Sequence, residues 1–154
     1  MSYFGPISIY RHRLPHWRGE GATYFVTWRV RKDGTDLAPE ERDEVVLALQ
    51  HFDGARARLH AFVVMNDHVH ALVSPIESEP LEKLVHSWKS FSAHQIHALA
   101  KRHGQVWQDE YFDRIVRDEA EFLEKSRYIV NNPWKRWPEI TEYRWVGTES
   151  QSSR

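Results

Sequence analysis

His68 and His70 stand one residue apart in the string His68-Val69-His70-Ala71-Leu72-Val73. Read as a strand, the string sends Val69, Ala71 and Val73 to one face and both imidazoles to the other, side by side. Two ring nitrogens on a common surface suit a shared metal ion; in a chain with ten histidines the pair is also compatible with two structural side chains. A second set of reactive groups lies later in the chain. On a helical wheel Phe122 and Ile129, with Leu123 and Val130 beside them, define a buried side. Tyr128 falls opposite, among Glu121, Glu124, Lys125, Asn131 and Asn132. A phenol there is either a partly exposed aromatic or a nucleophile offered to a substrate. Asn132, one helical turn beyond, presents a carboxamide oxygen beside that phenol. Because Asn132 precedes Pro133, which disfavours helical geometry, Asn131 is the alternative. Tyr111 and Tyr143 compete by residue type, but neither is followed one turn on by an amide.

The elements that must hold these groups follow from periodicity and punctuation. Residues 23–30 alternate, with Tyr24, Val26, Trp28 and Val30 on one side and Thr23, Thr27 and Arg29 on the other, as a strand does. After the Asp33-Gly34 turn, Pro39 opens a helix with Glu40 and Glu41 in its first turn and Val45, Leu49 and Phe52 as its buried stripe. Gly54 ends it. Residues 58–65 and 68–73 read as two strands joined by Asn66-Asp67, a hairpin. Pro80 opens a longer helix with Leu81, Leu84, Val85, Trp88, Phe91, Gln95, Ile96 and Leu99 at helical spacing and Gly104 as its stop. Residues 111–116 form a fourth strand. Asp118 with Glu121 three residues on reads as a capping box for a last helix ending near Asn131, ahead of Pro133. The order β-α-β-β-α-β-α begins with the split βαβ, ferredoxin-like pattern: an α+β fold with an antiparallel sheet and helices on one face. The histidines then project from the opposite face.

Composition bounds the rest. The 154 residues fit one domain, expected to span 1–154 with a short basic N-terminal extension over about 1–20 and a ragged tail over about 138–154. The absence of cysteine removes disulfides, thiol nucleophiles and iron–sulfur clusters. Hydrophobic content of 41% and charged content of 28% describe a globular chain, and the longest apolar run, Ala61–Met65, spans no membrane. No signal-peptide core precedes residue 20, so a cytoplasmic location is expected. The net charge of −1 hides segregation. Arg11, Arg13, Arg18, Arg29, Arg31 and Lys32 face only Glu20 over residues 11–32, and Lys125, Arg127, Lys135 and Arg136 face no acid over 125–136. Such blocks are either solvated faces or a basic groove for a phosphate backbone.

The stretch Met65-Asn66-Asp67-His68-Val69-His70 resembles the HUH motif of single-tyrosine HUH-endonuclease transposases, and Tyr128-Ile129-Val130-Asn131-Asn132-Pro133 resembles their catalytic-helix motif. Tyr24-Phe25-Val26-Thr27, Trp88-Lys89-Ser90-Phe91, Trp107-Gln108 and Tyr111-Phe112-Asp113-Arg114-Ile115 extend the likeness to the REP-associated tyrosine transposases, in order, from about residue 10 to residue 137. The resemblance implies an HUH-nuclease fold with a catalytic C-terminal helix on the sheet face opposite the other helices. It implies Mg²⁺ or Mn²⁺ on His68 and His70 with Asn132 as third ligand, and Tyr128 as a nucleophile that forms a 5′-phosphotyrosine link and frees a 3′-hydroxyl. A phenol of ordinary pKa, about 10, needs such assistance at neutral pH. Asp67 is a further candidate, orienting a ligand.

The implied partner is single-stranded DNA beside a hairpin, a REP-like palindrome, bound by a monomer or homodimer that is nucleoid-associated when on DNA. Arg11, Arg13, Arg18, Lys83, Lys89, Lys135 and Arg136 are the candidate phosphate contacts, and Trp134 or Trp137 a candidate stacking surface. Three rival readings keep part of this picture: a hairpin-binding protein without catalysis, an RNA-binding ferredoxin-like module, and a mononuclear metal hydrolase in which Tyr128 is incidental.

Overall fold

The computed structural model describes residues 21–149 apart from Lys101. Its elements are β1 (Thr23–Arg29), α1 (Pro39–His51), β2 (Ala57–Val64), β3 (His68–Pro75), α2 (Leu81–Ala100), β4 (Phe112–Val116), α3 (Glu119–Arg136) and β5 (Val146–Thr148). The strands form one sheet in the order β4-β1-β3-β2-β5, every pair antiparallel. The period-two parity of the strands therefore decides which residues each face carries.

One face presents Val26, Trp28, Val64, Val69, Ala71 and Val73 to Val45 and Leu49 of α1 and to Leu84, Val85, Trp88 and Ile96 of α2. Three tryptophans anchor this layer: Trp28 stacks on Trp88 with centroids 5.4 Å apart, and Trp107 meets Trp28 edge-on at 6.1 Å. The other face carries Phe25, Ala61, Val63 and Leu72, covered by Phe122 and Ile129 of α3. The α+β architecture with α3 alone on the far face agrees with the sequence expectation.

Four local expectations are corrected. α3 does not stop near Asn131 but continues through Pro133 to Arg136. Pro133 forgoes one helical hydrogen bond, yet it and Asn132 are buried, so packing of that side outweighs the loss, and the Pro133 carbonyl accepts the Trp137 N–H at 2.7 Å. The segment after residue 138 is not ragged as far as residue 149. β5 adds to the edge of β2, pairing Ala61 with Thr148 and Val63 with Val146, because β2 is apolar on both faces and its outer edge needs a partner. Leu99 on α2 is exposed; Ser92 occupies the buried stripe instead, donating to the Trp88 carbonyl and accepting from the Trp107 indole N–H. The capping box of α3 closes differently on one side: Asp118 is the N-cap and accepts the Glu121 N–H as expected, while the Glu121 carboxylate takes the Arg117 N–H rather than that of Asp118.

One irregularity in β2 redirects a side chain. Leu59 pairs with Val73 and Ala61 with Leu72, so His60 is an extra, bulged residue. The bulge turns its imidazole onto the α3 face, edge-on to Phe122 at 5.3 Å.

Candidate active site

Antiparallel register builds the site as one rung across the sheet. Phe112 of β4 pairs with Thr27 of β1, Thr27 with His70 of β3, His70 with Val63 of β2, and Val63 with Val146 of β5. Directly paired residues share a face, so all five point toward the α3 side. Val63 and Val146 lie buried in the core beneath α3. From His70 toward Phe112 the same rung emerges from cover, and Phe112 is 58% exposed.

Tyr128 sits where the cover ends. It is 42% exposed, and its ring meets His70 edge-on at 5.3 Å and Phe25 at 5.9 Å. Phe25 stacks on His70 at 5.2 Å, so Tyr128, Phe25 and His70 form one aromatic cluster on the flank of α3. The sheet-side stripe of α3, Phe122, Ser126, Ile129 and Asn132, fixes the helix rotation that places Tyr128 there.

The two histidines are oriented by their δ nitrogens. His70 Nδ1 lies 2.7 Å from Thr27 Oγ1, and His68 Nδ1 lies 2.8 Å from Asp67 Oδ1. Their rings are 4.7 Å apart. With Nδ1–H donating to the Thr27 hydroxyl, His70 Nε2 presents a lone pair. That nitrogen is buried and has no hydrogen-bond partner among the described residues. Burial, reinforced by His68, Arg29 and Lys125, holds His70 neutral by lowering its pKa to about 3. A buried, neutral, unpartnered imidazole nitrogen beside a second imidazole fits a divalent cation. Among the described residues no cluster of three His, Cys, Asp or Glu side chains completes such a site, so remaining ligands must come from an amide, water or substrate.

The other sequence candidates divide. Asn132 is buried, whereas Asn131 is exposed and lines a separate groove with Val130, Trp134, Thr141 and Glu142, away from the histidines. Lys135 lies over the Tyr128 ring, with Nζ 5.7 Å from its centroid. Arg136 lies over Trp137, at the end of α3. Lys89 donates to the Asp109 carbonyl at 3.0 Å and is partly buried, which lowers its pKa. Lys83 is in the first turns of α2, in the layer on the opposite sheet face. Arg11, Arg13 and Arg18 lie outside the described residues.

The rival tyrosine Tyr143 is buried and donates to the Val64 carbonyl at 2.7 Å, with its pKa raised to about 12 by burial. Trp134 and Trp137 pack rather than present free rings: Trp134 donates to the Ile140 carbonyl at 2.8 Å, and Trp137 stacks on Tyr143 at 5.7 Å. Three groups that sequence reasoning left without a role come to the site: Thr27, Arg29 and Lys125. Strand parity places Thr27 and Arg29 on the histidine face, but only the register brings Thr27 to His70 and Arg29 to His68. Lys125, one turn before Tyr128, lies 5.0 Å from the Phe25 ring centroid.

A groove of about 490 Å³ is lined by Phe25, Thr27, Arg29, His70, Gln108, Glu110, Tyr111, Phe112 and Tyr128.

Comparison with known proteins gives four matches. The profile of the IS200-like transposase family matches residues 39–132. A Haemophilus influenzae protein of unassigned function is 25% identical over 103 residues, which cover 51% of this chain and 55% of that protein. The match thus spans about half the length of that curated relative. Among solved structures, a REP-associated tyrosine transposase bound to a REP hairpin superposes with a TM-score of 0.68 at 18% identity, over 87% of this chain and 81% of that one. A candidate transposase from Deinococcus radiodurans R1 superposes with a TM-score of 0.52 at 20% identity, over 77% and 96%. At these identities the structural likeness establishes a shared fold.

Proposed function

The chain belongs to the IS200-like transposase family, and from that premise we propose that it is a metal-dependent single-strand DNA endonuclease and strand transferase with Tyr128 as its nucleophile. The observation that carries this reading is the exposed phenol of Tyr128 beside a buried imidazole nitrogen that no group among the described residues satisfies. His68 and His70 would hold Mg²⁺ or Mn²⁺, with the Asn132 carboxamide as third ligand. A hard divalent cation bound there supplies charge neutralisation at the scissile phosphate.

The chain's own residues do the remainder. Thr27 and Asp67 fix the imidazole rings. Arg29, Lys125 and Lys135 put positive charge around the groove, where phosphate oxygens are drawn in. Tyr128 attacks phosphorus; its Oη–P bond forms as the P–O3′ bond breaks. The phenol loses its proton to solvent and the departing 3′ oxygen takes one up. The product is a 5′-phosphotyrosine ester that conserves the phosphodiester, so an incoming 3′-hydroxyl reverses the step and joins strands. The solved relative bound to a REP hairpin supports a hairpin-flanked single strand as substrate, with a REP-like palindrome as the first choice.

The test mixes purified protein with labelled single-stranded hairpin oligonucleotides and Mn²⁺ or Mg²⁺, followed by a denaturing gel. A metal-dependent, denaturation-resistant protein–DNA band is expected, absent in Tyr128→Phe and His70→Ala. A band that persists in Tyr128→Phe moves the nucleophile elsewhere. Hairpin binding with no adduct across a broad panel replaces the nuclease with a binding protein.

A further inference from the structure

Phe112 has an exposure that packing does not account for. On β4 the α3-facing residues are Phe112, Arg114 and Val116, paired with Thr27, Phe25 and Thr23. Val116 is buried and Arg114 is bound to Glu121, whereas Phe112 is more than half exposed. Among the described residues Phe112 takes part in no ring–ring or cation–ring contact. Its rung partner Thr27 is the group that holds His70, and Phe112 lines the same groove as His70 and Tyr128. Two strand spacings, about 10 Å, separate it from the His70 strand. A flat apolar ring at that range from a reacting phosphate stands where the base of an adjoining nucleotide would fall.

Glu110 gives the second observation. It is exposed and lines the groove with Phe112 and Arg29, in a site that the nuclease reading requires to take a polyanion. A carboxylate there repels phosphate, so its contribution to binding must come through hydrogen-bond acceptance. A carboxylate accepts from exocyclic amino groups of bases, one on cytosine N4 or adenine N6 and the paired N1–H and N2–H₂ edge on guanine, and finds no amino group on thymine.

We propose that Phe112 and Glu110 form a nucleobase subsite beside the scissile phosphate: Phe112 stacks one unpaired base and Glu110 reads its amino edge, favouring guanine or cytosine over thymine. The inference rests on the nuclease reading above, because it takes the phosphate to sit at His70 and Tyr128. Stacking on a single aromatic ring is worth about tenfold in binding.

The experiment places 2-aminopurine, one position at a time, at the unpaired nucleotides on either side of the cut, with binding followed by fluorescence and adduct by denaturing gel. One position is expected to be quenched on binding, to recover its fluorescence in Phe112→Ala and to stay quenched in Phe112→Trp. At that position thymine or an abasic site binds about tenfold more weakly than guanine, and Glu110→Gln narrows the guanine–thymine difference. Thermal melting checks that Phe112→Ala, a surface change, folds normally. Adduct formation without any Phe112-dependent quench overturns the subsite and leaves the nuclease standing. Quench without adduct overturns the nuclease, and with it the placement of the subsite beside a scissile phosphate. If Phe112→Ala changes only the oligomeric state in sedimentation, the ring is a contact between copies of the chain, and the subsite is likewise overturned.

Discussion

His60 and His70 are both buried, lie on neighbouring strands and face the same helix, yet their surroundings differ at one atom. His60 has both nitrogens engaged by protein: Nδ1 lies 3.1 Å from Glu149 Oε1 and Nε2 lies 2.8 Å from Ser74 Oγ. Ser74 in turn meets Thr23 at 2.7 Å, and Arg58 meets the second oxygen of Glu149 at 2.6 Å. His70 has Nδ1 engaged by Thr27 and leaves Nε2 without a partner among the described residues. A buried polar atom left unpaired costs the fold on the order of 1–3 kcal/mol, so such atoms concentrate where something other than the fold uses them. The His60 end is a closed network that joins β5 to the sheet. The His70 end is open at Nε2, where the proposed metal would bind. Burial alone does not distinguish the two histidines; the tally of partners does.

The contrast between the two histidines can be tested at several strengths. The largest effect is expected from Tyr128→Phe, which removes the hydroxyl at the open end: adduct formation falls on the order of 1,000-fold or more while the melting temperature stays near wild type. Covalent product that survives this change removes Tyr128 from the mechanism. Next, His60→Ala should cost about 3 kcal/mol in urea unfolding, because it takes one of its partners from a buried carboxylate and leaves Ser74 unmatched, and more than His70→Ala costs. If the two variants rank the other way, the closed network is not what holds β5. Thr27→Val should then weaken Mn²⁺ binding about 10- to 100-fold by calorimetry, and Ser74→Ala, the equivalent change beside His60, should leave it alone. Equal metal affinities in the two variants would sink the assignment.

The closed end also responds to pH. Burial alone raises the Glu149 carboxyl, but the hydrogen bond and charge of His60 and then those of Arg58 outweigh it, and the net shift is downward. A carboxyl depressed in the folded state stabilises fully above its unfolded pKa, about 4.3, and that contribution is lost as pH falls through the lower folded value. Urea midpoints measured down the acid range should therefore fall less steeply in Glu149→Gln than in wild type. An unchanged acid limb would mean that Glu149 does not anchor this network. The smallest effect, about 1 kcal/mol, is expected from Asp118→Ala, which removes the cap of the helix that carries Tyr128. Here a stability difference near zero by urea unfolding would show the cap to be idle.

Much of this was legible in the sequence because period two and period 3.6 are local. The His68/His70 parity, the polar setting of Tyr128 and the helices flanked by Pro39 and Pro80 need only near neighbours. What stayed hidden depends on distant partners. Thr27 reaches His70 only through the register of β1 with β3. His60 lies just before the apolar run of β2, and the bulge that turns it toward Phe122 leaves no mark on composition. β5 is three residues long with a central glycine, too short to show an alternation, and exists because β2 has an edge to cover. Pro133 ends helices as a rule, and the rule failed where the buried side of α3 ran past it.

The rung from Phe112 through Thr27 and His70 to Val63 and Val146 makes the molecule more sensitive to the length of its strands than to their composition. One residue inserted or deleted within β1 shifts its pairing by one and turns every later side chain to the opposite face. Thr27 would then leave His70, and Phe112 would lose its rung partner, with every amino acid of the groove still in the chain. The same insertion between Asp33 and Asp36, in the exposed turn that leads to α1, moves no rung. Gain and loss of single residues therefore divide the chain into stretches where length is fixed to the residue and stretches where it is free, and the boundary falls at the ends of β1, β3 and β4.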